Sequence, residues 1–311
     1  MSQRKKVAVA RLSVVSNAVL VIGKLLIGLA IGSVSVLSEA IHSGVDLLAA
    51  AIALLAVRQS GRPGDQQHPY GHGKVENLSA LVEGLLIFVA AGWIIVEAVE
   101  RLLHPEKLDA AWLGVAVMGG SSAINWFVSS RLFSVARETE SAALEADGWH
   151  LRTDVYTSMG VMAGLGLVWL GEVLVAGVSL AWLDPVVAMV VACFIMRAAY
   201  RLSRDAVADL MDSTLPEHEV NIVHECLASG PAELLAYHDL RTRKAGSQRF
   251  IEVHLEVPHT LSLDEAHKIA DDVEQRIQSR LRSASVITHV DPVGDVTGAA
   301  NASKARRLGY E

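Results

Sequence analysis

Two cysteines in 311 residues, Cys193 and Cys226, are too few for a disulfide framework or a zinc–thiolate cluster. Positive charge is also short. Lys and Arg number 27 against 34 Asp and Glu, and the resulting net charge of −7 argues against nucleic acid as a partner. No His-Glu-x-x-His run occurs, which removes one common hydrolase pattern. The basic start Arg4-Lys5-Lys6 leads into an apolar stretch, as a signal peptide would. Arg11, Asn17 and Lys24 interrupt that stretch, however, and no small-residue cleavage site follows, so it reads as a retained first helix.

What the chain has in excess is hydrophobicity: 51% of residues and a mean hydropathy of +0.36, concentrated before about Arg204. About twenty apolar residues span a bilayer. Runs of that length predict six membrane helices, at 7–31, 34–57, 75–102, 111–133, 142–170 and 178–200. The fifth is the most polar, because Glu145, Asp147, His150, Arg152 and Asp154 fall in its first turns, and these must face protein or a water-filled cavity. Lys and Arg cluster before the first run, between the second and third, between the fourth and fifth, and after the sixth. Both termini are therefore expected in the cytoplasm. The domain reading is 1–204 for the membrane part, 205–295 for a polar part and 296–311 for a disordered tail.

Two phrases inside the apolar runs carry the chemistry. His42-Ser43-Gly44-Val45-Asp46 and His150-Leu151-Arg152-Thr153-Asp154 each place an imidazole and a carboxylate four residues apart, on one helix face. Ionisable groups at the centre of a membrane helix cost roughly 2.5–3.5 kcal/mol each on insertion scales, so they are functional candidates by default. Asp46 lies roughly a dozen residues before the cytoplasmic end of its run, and Asp154 roughly a dozen after the start of its own. At about 1.5 Å per residue the two pairs share one depth. Together they offer two nitrogens and two oxygens, a set that suits tetrahedral Zn²⁺. Glu39, on the same face as His42, is either a proton-relay group or a solvated one.

The loop after the second run reads Asp65-Gln66-Gln67-His68-Pro69-Tyr70-Gly71-His72-Gly73-Lys74. Asp65, His68 and His72 could hold a metal with an open fourth position, or could simply decorate a polar turn. Beyond Arg204 the periodicity changes. A helical pattern at 216–227 precedes strands at 236–242 and 250–257, a helix N-capped by Ser262, and a strand at 285–289. The order αββαβ predicts a small α+β, ferredoxin-like domain. It carries His238, His254, His267, His289 and Asp291, which fit either a metal site or a solvated surface.

These segments, in this order, resemble the cation diffusion facilitators, and within them the bacterial zinc and ferrous-iron efflux branch. The resemblance runs from about Arg11 to Asp291. It rests on the two intramembrane pairs, on His68-Pro69-Tyr70-Gly71-His72-Gly73-Lys74, and on Leu210-Met211-Asp212 leading into Leu215-Pro216. It rests further on Tyr237-His238-Asp239-Leu240-Arg241, Val253-His254-Leu255-Glu256, Ala266-His267 and His289-Val290-Asp291-Pro292. The resemblance implies a homodimer in the bacterial inner membrane that exchanges a divalent metal for protons, with Zn²⁺ as substrate and as regulatory ligand. It assigns His42, Asp46, His150 and Asp154 to transport and Asp65, His68 and His72 to a loop site. His238, His254, His267, His289 and Asp291 fall to a cytosolic site, and Lys74 is implied to pair with Asp212 near the interface. Members of that branch carry Asp where this chain has His42, so the imidazole favours zinc over cadmium, iron and manganese. No long His-rich loop separates the fourth and fifth runs. Transport of another divalent metal, or a passive metal channel, is the competing expectation.

Overall fold

The computed structural model describes residues 2–31, 34–104, 112–174 and 182–293. It divides into two compact units, Met1–Val207 and Ala208–Glu311. The expected tail at 296–311 lies outside the described residues, as do the first residues of the expected fourth and sixth runs.

The first unit contains α1 (Ser2–Ile31), α2 (Val34–Ser60), α3 (Lys74–Leu103), α4 (Trp112–Thr139), α5 (Ala142–Leu174) and α6, which starts here and runs from Leu183 to Leu210. Their amphipathicity is inverted relative to a water-soluble bundle. On α1 the buried stripe is Lys6, Ala10, Ser13, Asn17 and Lys24, while Val15, Val19, Ile22, Leu26 and Leu29 are exposed. On α2 the outward residues include Ile41, Leu48 and Leu55, and on α3 they include Val89, Trp93 and Val96. Polar groups inside and large apolar groups outside is the arrangement a lipid solvent selects. Among the described residues, four helices are long and apolar enough to cross a membrane: Ser2–Ala30, Glu39–Ser60, Lys74–Leu103 and Pro185–Leu210. α4 and α5 are of similar length.

Small residues bring the helices together. Ala49, Ala50 and Ala53 of α2, Ala80 and Ala91 of α3, Ala143 and Ala146 of α5, and Ala192 and Ala199 of α6 are all buried. Packing of this kind substitutes for a hydrophobic driving force, which lipid does not supply between helices. At Gly84 a Cβ would stand 2.4 Å from Ser203 Oγ, so α3 and α6 meet at that point. One end of the unit is tied by a buried ion pair. Lys6 Nζ lies 3.0 Å from Glu76 Oε1, Ser60 Oγ donates to the same carboxylate at 2.5 Å, and Ser141 Oγ donates to its other oxygen. A residue that sequence reasoning counts as an aqueous positive charge is therefore an internal one.

The second unit contains α7 (Glu217–Ala228), β1 (Ala236–Ala245), β2 (Gln248–Pro258), α8 (Leu263–Arg280) and β3 (Ala284–Val293), which is the expected αββαβ order. The sheet order is β1-β2-β3, antiparallel between β1 and β2 and parallel between β2 and β3. A mixed sheet follows from the connections, a tight hairpin first and a helical crossover second. Ile251, Val253 and Leu255 point into the core with Ala270, Val273 and Ile277 of α8, and Val257 packs with Ala266 and Ile269. Ser262 caps α8 as expected. Its Oγ accepts from Glu265 N–H at 3.3 Å, and Glu265 Oε2 accepts from Ser262 N–H at 2.8 Å, a reciprocal capping box.

Candidate metal centres

α2 and α5 present the two His-x-x-x-Asp pairs to one another. His150 Nε2 lies 3.1 Å from Asp46 Oδ1, and His42 Nε2 lies 4.0 Å from Asp46 Oδ1 and 3.9 Å from Asp154 Oδ1. Zn–N and Zn–O bonds of about 2.0–2.1 Å require tetrahedral ligand atoms to stand about 3.3 Å apart. These three distances are within an ångström of that spacing; His42, Asp46 and Asp154 bring ligand atoms within 4.8 Å of one another, and His150 joins them through Asp46. Asp46 is 5% exposed and His150 12%, while His42 is 59% exposed, which makes His42 the open flank of the group.

The loop group is organised by its backbone. Asp65 Oδ1 accepts from the amides of His68 at 2.7 Å and Gln67 at 2.9 Å, and Asp65 N–H returns to His68 O at 3.1 Å. Two glycines permit this turn: Gly71 has φ +84°, and a Cβ at Gly64 would stand 2.4 Å from Pro69 O. The result places Asp65 Oδ1 3.6 Å from His68 Nδ1 and Asp65 Oδ2 3.4 Å from His72 Nε2. The His68 amide, then the Gln67 amide, hold the Asp65 carboxyl below the ordinary carboxylate range. A depressed value means that its contribution is present above the unfolded value and is lost only as pH falls through the folded one. Asp65 therefore stays charged between about pH 5 and about pH 7. The expected result for Asp65→Asn is a loss of roughly tenfold or more in loop metal affinity at about pH 7. Calorimetric titration of the intact protein near pH 7 measures it, and an affinity within twofold of wild type would refute the assignment.

In the second unit the strand register builds a row. His238 pairs with His254 and His254 with His289, so three imidazoles stand side by side on the polar face of the sheet. Ring centroids are 5.0 Å apart for His238 and His254 and 4.7 Å for His254 and His289. Asp291 joins all three, at 3.4 Å from His238 Nε2, 2.9 Å from His254 Nδ1 and 3.2 Å from His289 Nε2. A bulge after His238, with Asp239 at φ 50°, sets Asp239 Oδ2 3.8 Å from His238 Nδ1. His267 does not join this row within one chain. It lies on α8, 71% exposed, with Nε2 3.6 Å from Asp271 Oδ2. Asp212 lies 3.2 Å from the Arg243 guanidinium.

Sequence comparisons cover nearly the whole chain. Residues 10–211 match the cation efflux transmembrane domain, and residues 215–293 match the cation efflux protein cytoplasmic domain. The chain belongs to the cation diffusion facilitator family. An uncharacterized transporter of Synechocystis sp. is 36% identical over 264 residues, which are 85% of this chain and 83% of that one. The cation-efflux pump FieF of Klebsiella pneumoniae is 36% identical over 272 residues, 86% of each chain. The metal-bound C-terminal domain of the CzcD transporter from Thermotoga maritima is 26% identical, covering 26% of this chain and 99% of that domain, with a TM-score of 0.24. As a cation diffusion facilitator, the protein is a multi-pass membrane transporter that carries metal cations, with a helical transmembrane domain followed by a cytoplasmic domain built on a small mixed sheet. The cytoplasmic module is one that pairs with a second copy.

Around the intramembrane group, this facilitator carries polar side chains that spacing alone did not single out. Asn125 Nδ2 of α4 donates to Asp154 Oδ2 at 3.4 Å. Lys24 of α1 donates to Ser43 Oγ at 2.8 Å and stands 3.1 Å from Glu39 Oε2, so Glu39 is held in an ion pair beside the site. Deeper in the unit, Ser13 Oγ donates to Asp147 Oδ1 at 3.1 Å. Glu83 is fully buried with Ser79 Oγ 3.4 Å away. The only signal for these was a polar residue in an apolar run, which Asn125, Glu83 and Lys24 all supply. Glu256 is a further addition to the strand row, with Oε1 3.5 Å from His238 Nε2.

Proposed function

We propose that this protein exports Zn²⁺ from the cytoplasm in exchange for protons, by alternating access across six membrane helices with both termini cytoplasmic in a bacterial inner membrane. The observation that carries this reading is the mixed ligand set His42, Asp46, His150 and Asp154, which two helices present to one another, with His42 close to both carboxylates and His150 3.1 Å from Asp46. With both carboxylates ionised and both imidazoles neutral, the group carries about −2. One Zn²⁺ or two protons brings it to zero, so either occupant avoids a bare charge in the bilayer interior. Imidazole's ordinary value of about 6.5 makes that exchange accessible at cellular pH. Protons arriving from outside displace the metal as α2 and α5 rock.

Asp65, His68 and His72 form a loop site in this reading. His238, His254, His289 and Asp291, with His267, form a regulatory cytosolic site on a ferredoxin-like domain that lacks one strand. Metal there tightens the homodimer and biases the transport equilibrium, and Lys74 pairs with Asp212 near the interface. A passive channel fits less well, because four closing ligands would hold an ion too firmly to conduct. The same fold carrying Fe²⁺, Mn²⁺, Co²⁺ or Cd²⁺ is the nearest alternative. Flux into vesicles with a panel of these metals, with and without a pH gradient, tests the proposal. Zinc is expected to lead and to require the gradient, and His42→Asp is expected to broaden the panel. Gradient-independent flux, or an unchanged panel in the variant, counts against it.

A further inference from the structure

The outer surface of α6 changes character along one stripe. Val190 and Phe194 are exposed. Arg197, Arg201 and Arg204 continue the same face at spacings of four and three residues, with Arg201 82% and Arg204 66% exposed. These arginines line a cavity of about 430 Å³ with Phe194, Tyr200 and Trp149 of α5. Aromatic contacts flank the cavity: Tyr156 of α5 meets Phe194 of α6 edge to face at 5.8 Å, and Trp149 of α5 meets Phe133 of α4 in the same way at 5.5 Å. No acidic side chain lines the cavity. Asp205 pairs with Arg204 at 3.0 Å and with Arg201 at 3.7 Å from outside it, and such exposed pairs are weak and screened. Among the described residues, Arg197 has no ion-pair partner.

We propose that this cavity is a seat for an anionic phospholipid of the surrounding leaflet. The phosphate lies among Arg197, Arg201 and Arg204, and an acyl chain runs along Phe194 and Val190. Three guanidiniums around one concavity match a phosphodiester, which accepts several charge-assisted hydrogen bonds at once. Trp149 and Tyr200 are the amphipathic rings that settle at the headgroup level. A free phosphate would be served by the arginines alone. The apolar continuation of the stripe at Phe194 and Val190 is the observation that selects a lipid, because it has no use in water.

The test is native mass spectrometry of the intact protein released from detergent micelles containing equal amounts of phosphatidylglycerol and phosphatidylcholine with the same acyl chains. Wild type is expected to retain phosphatidylglycerol selectively. Each arginine removed is expected to weaken that binding about fivefold, so Arg197→Gln/Arg201→Gln/Arg204→Gln should lose on the order of 100-fold while phosphatidylcholine binding is unchanged. If the triple variant fails to fold, Arg197→Gln alone should lose about fivefold and Arg197→Lys should keep most of the affinity. Equal retention of the two lipids overturns the proposal, as does phosphatidylglycerol binding within twofold of wild type in Arg197→Gln. Displacement of the lipid by inorganic phosphate at comparable concentration also overturns it, and would identify a free-phosphate site instead.

Discussion

Asp46→Asn is expected to abolish zinc-for-proton flux, with a loss of at least about 100-fold, in a protein that still folds. Loss of a residue that only orients a metal ligand typically costs 10–100-fold, and a ligand itself must cost more. Asp46 is also the hub of its group, since its Oδ1 faces both His150 Nε2 at 3.1 Å and His42 Nε2 at 4.0 Å. The amide keeps the shape and one acceptor but removes one negative charge. A bound Zn²⁺ would then leave an uncompensated positive charge inside the bilayer, which is the larger part of the penalty. Folding is spared because the metal-free group loses a buried charge rather than gaining one. Asp154→Asn should behave similarly but lose less. Asp154 is more exposed, at 21%, and Asn125 already donates to it. Flux in vesicles alongside thermal unfolding of the metal-free protein separates the two effects. Retained flux in Asp46→Asn would remove this group from the transport cycle, and a lost fold would make the substitution uninformative about zinc but would contradict the charge argument.

How far the sequence reaches depends on whether a feature is local. The αββαβ order was legible because β2 alternates strictly at Ile251, Val253, Leu255 and Val257, and because Ser262 and Glu265 spell a capping box. The two intramembrane pairs were legible because an i, i+4 spacing on a helix is a local fact, and equal depth follows from the rise per residue. What joins separate elements was not. The row of His238, His254 and His289 depends on strand register, and His267, on α8, stands outside it. Lys6 counts as a flanking charge under the positive-inside rule, yet it is buried against Glu76. Asn125, Lys24 and Glu83 are single polar residues in apolar runs, with nothing local to say which helix each would face. Among the described residues, four helices are long and apolar enough to cross a membrane, where six runs were expected.

The buried pair Arg249–Glu219 is a long-range contact of the same kind, and its loss has the largest expected effect on stability. Arg249 opens β2 and is 4% exposed. It donates through Nε to Glu219 Oε2 at 2.7 Å, through Nη2 to Glu219 Oε1 at 2.5 Å and through Nη1 to Arg282 O at 3.0 Å. One guanidinium thus ties α7, β2 and the segment after α8. Glu219→Ala leaves that charge buried without the Glu219 carboxylate, which typically costs about 3–5 kcal/mol. Every tryptophan lies outside Ala208–Glu311, so intrinsic fluorescence would miss the event. Hydrogen exchange of the β2 amides in the intact protein would not, and it is expected to accelerate roughly 10²- to 10³-fold. Glu219→Gln should lose less, because it keeps one acceptor. Adding Arg249→Met to Glu219→Ala should restore much of the protection, since removing both charges is far milder than orphaning one. Because β2 carries His254 at the centre of the histidine row, zinc binding on the sheet should weaken in Glu219→Ala and recover in the double variant. Acceleration of less than about tenfold would mean that the pair is solvated in practice, and failure of Arg249→Met to rescue would place the loss in packing rather than in the stranded charge.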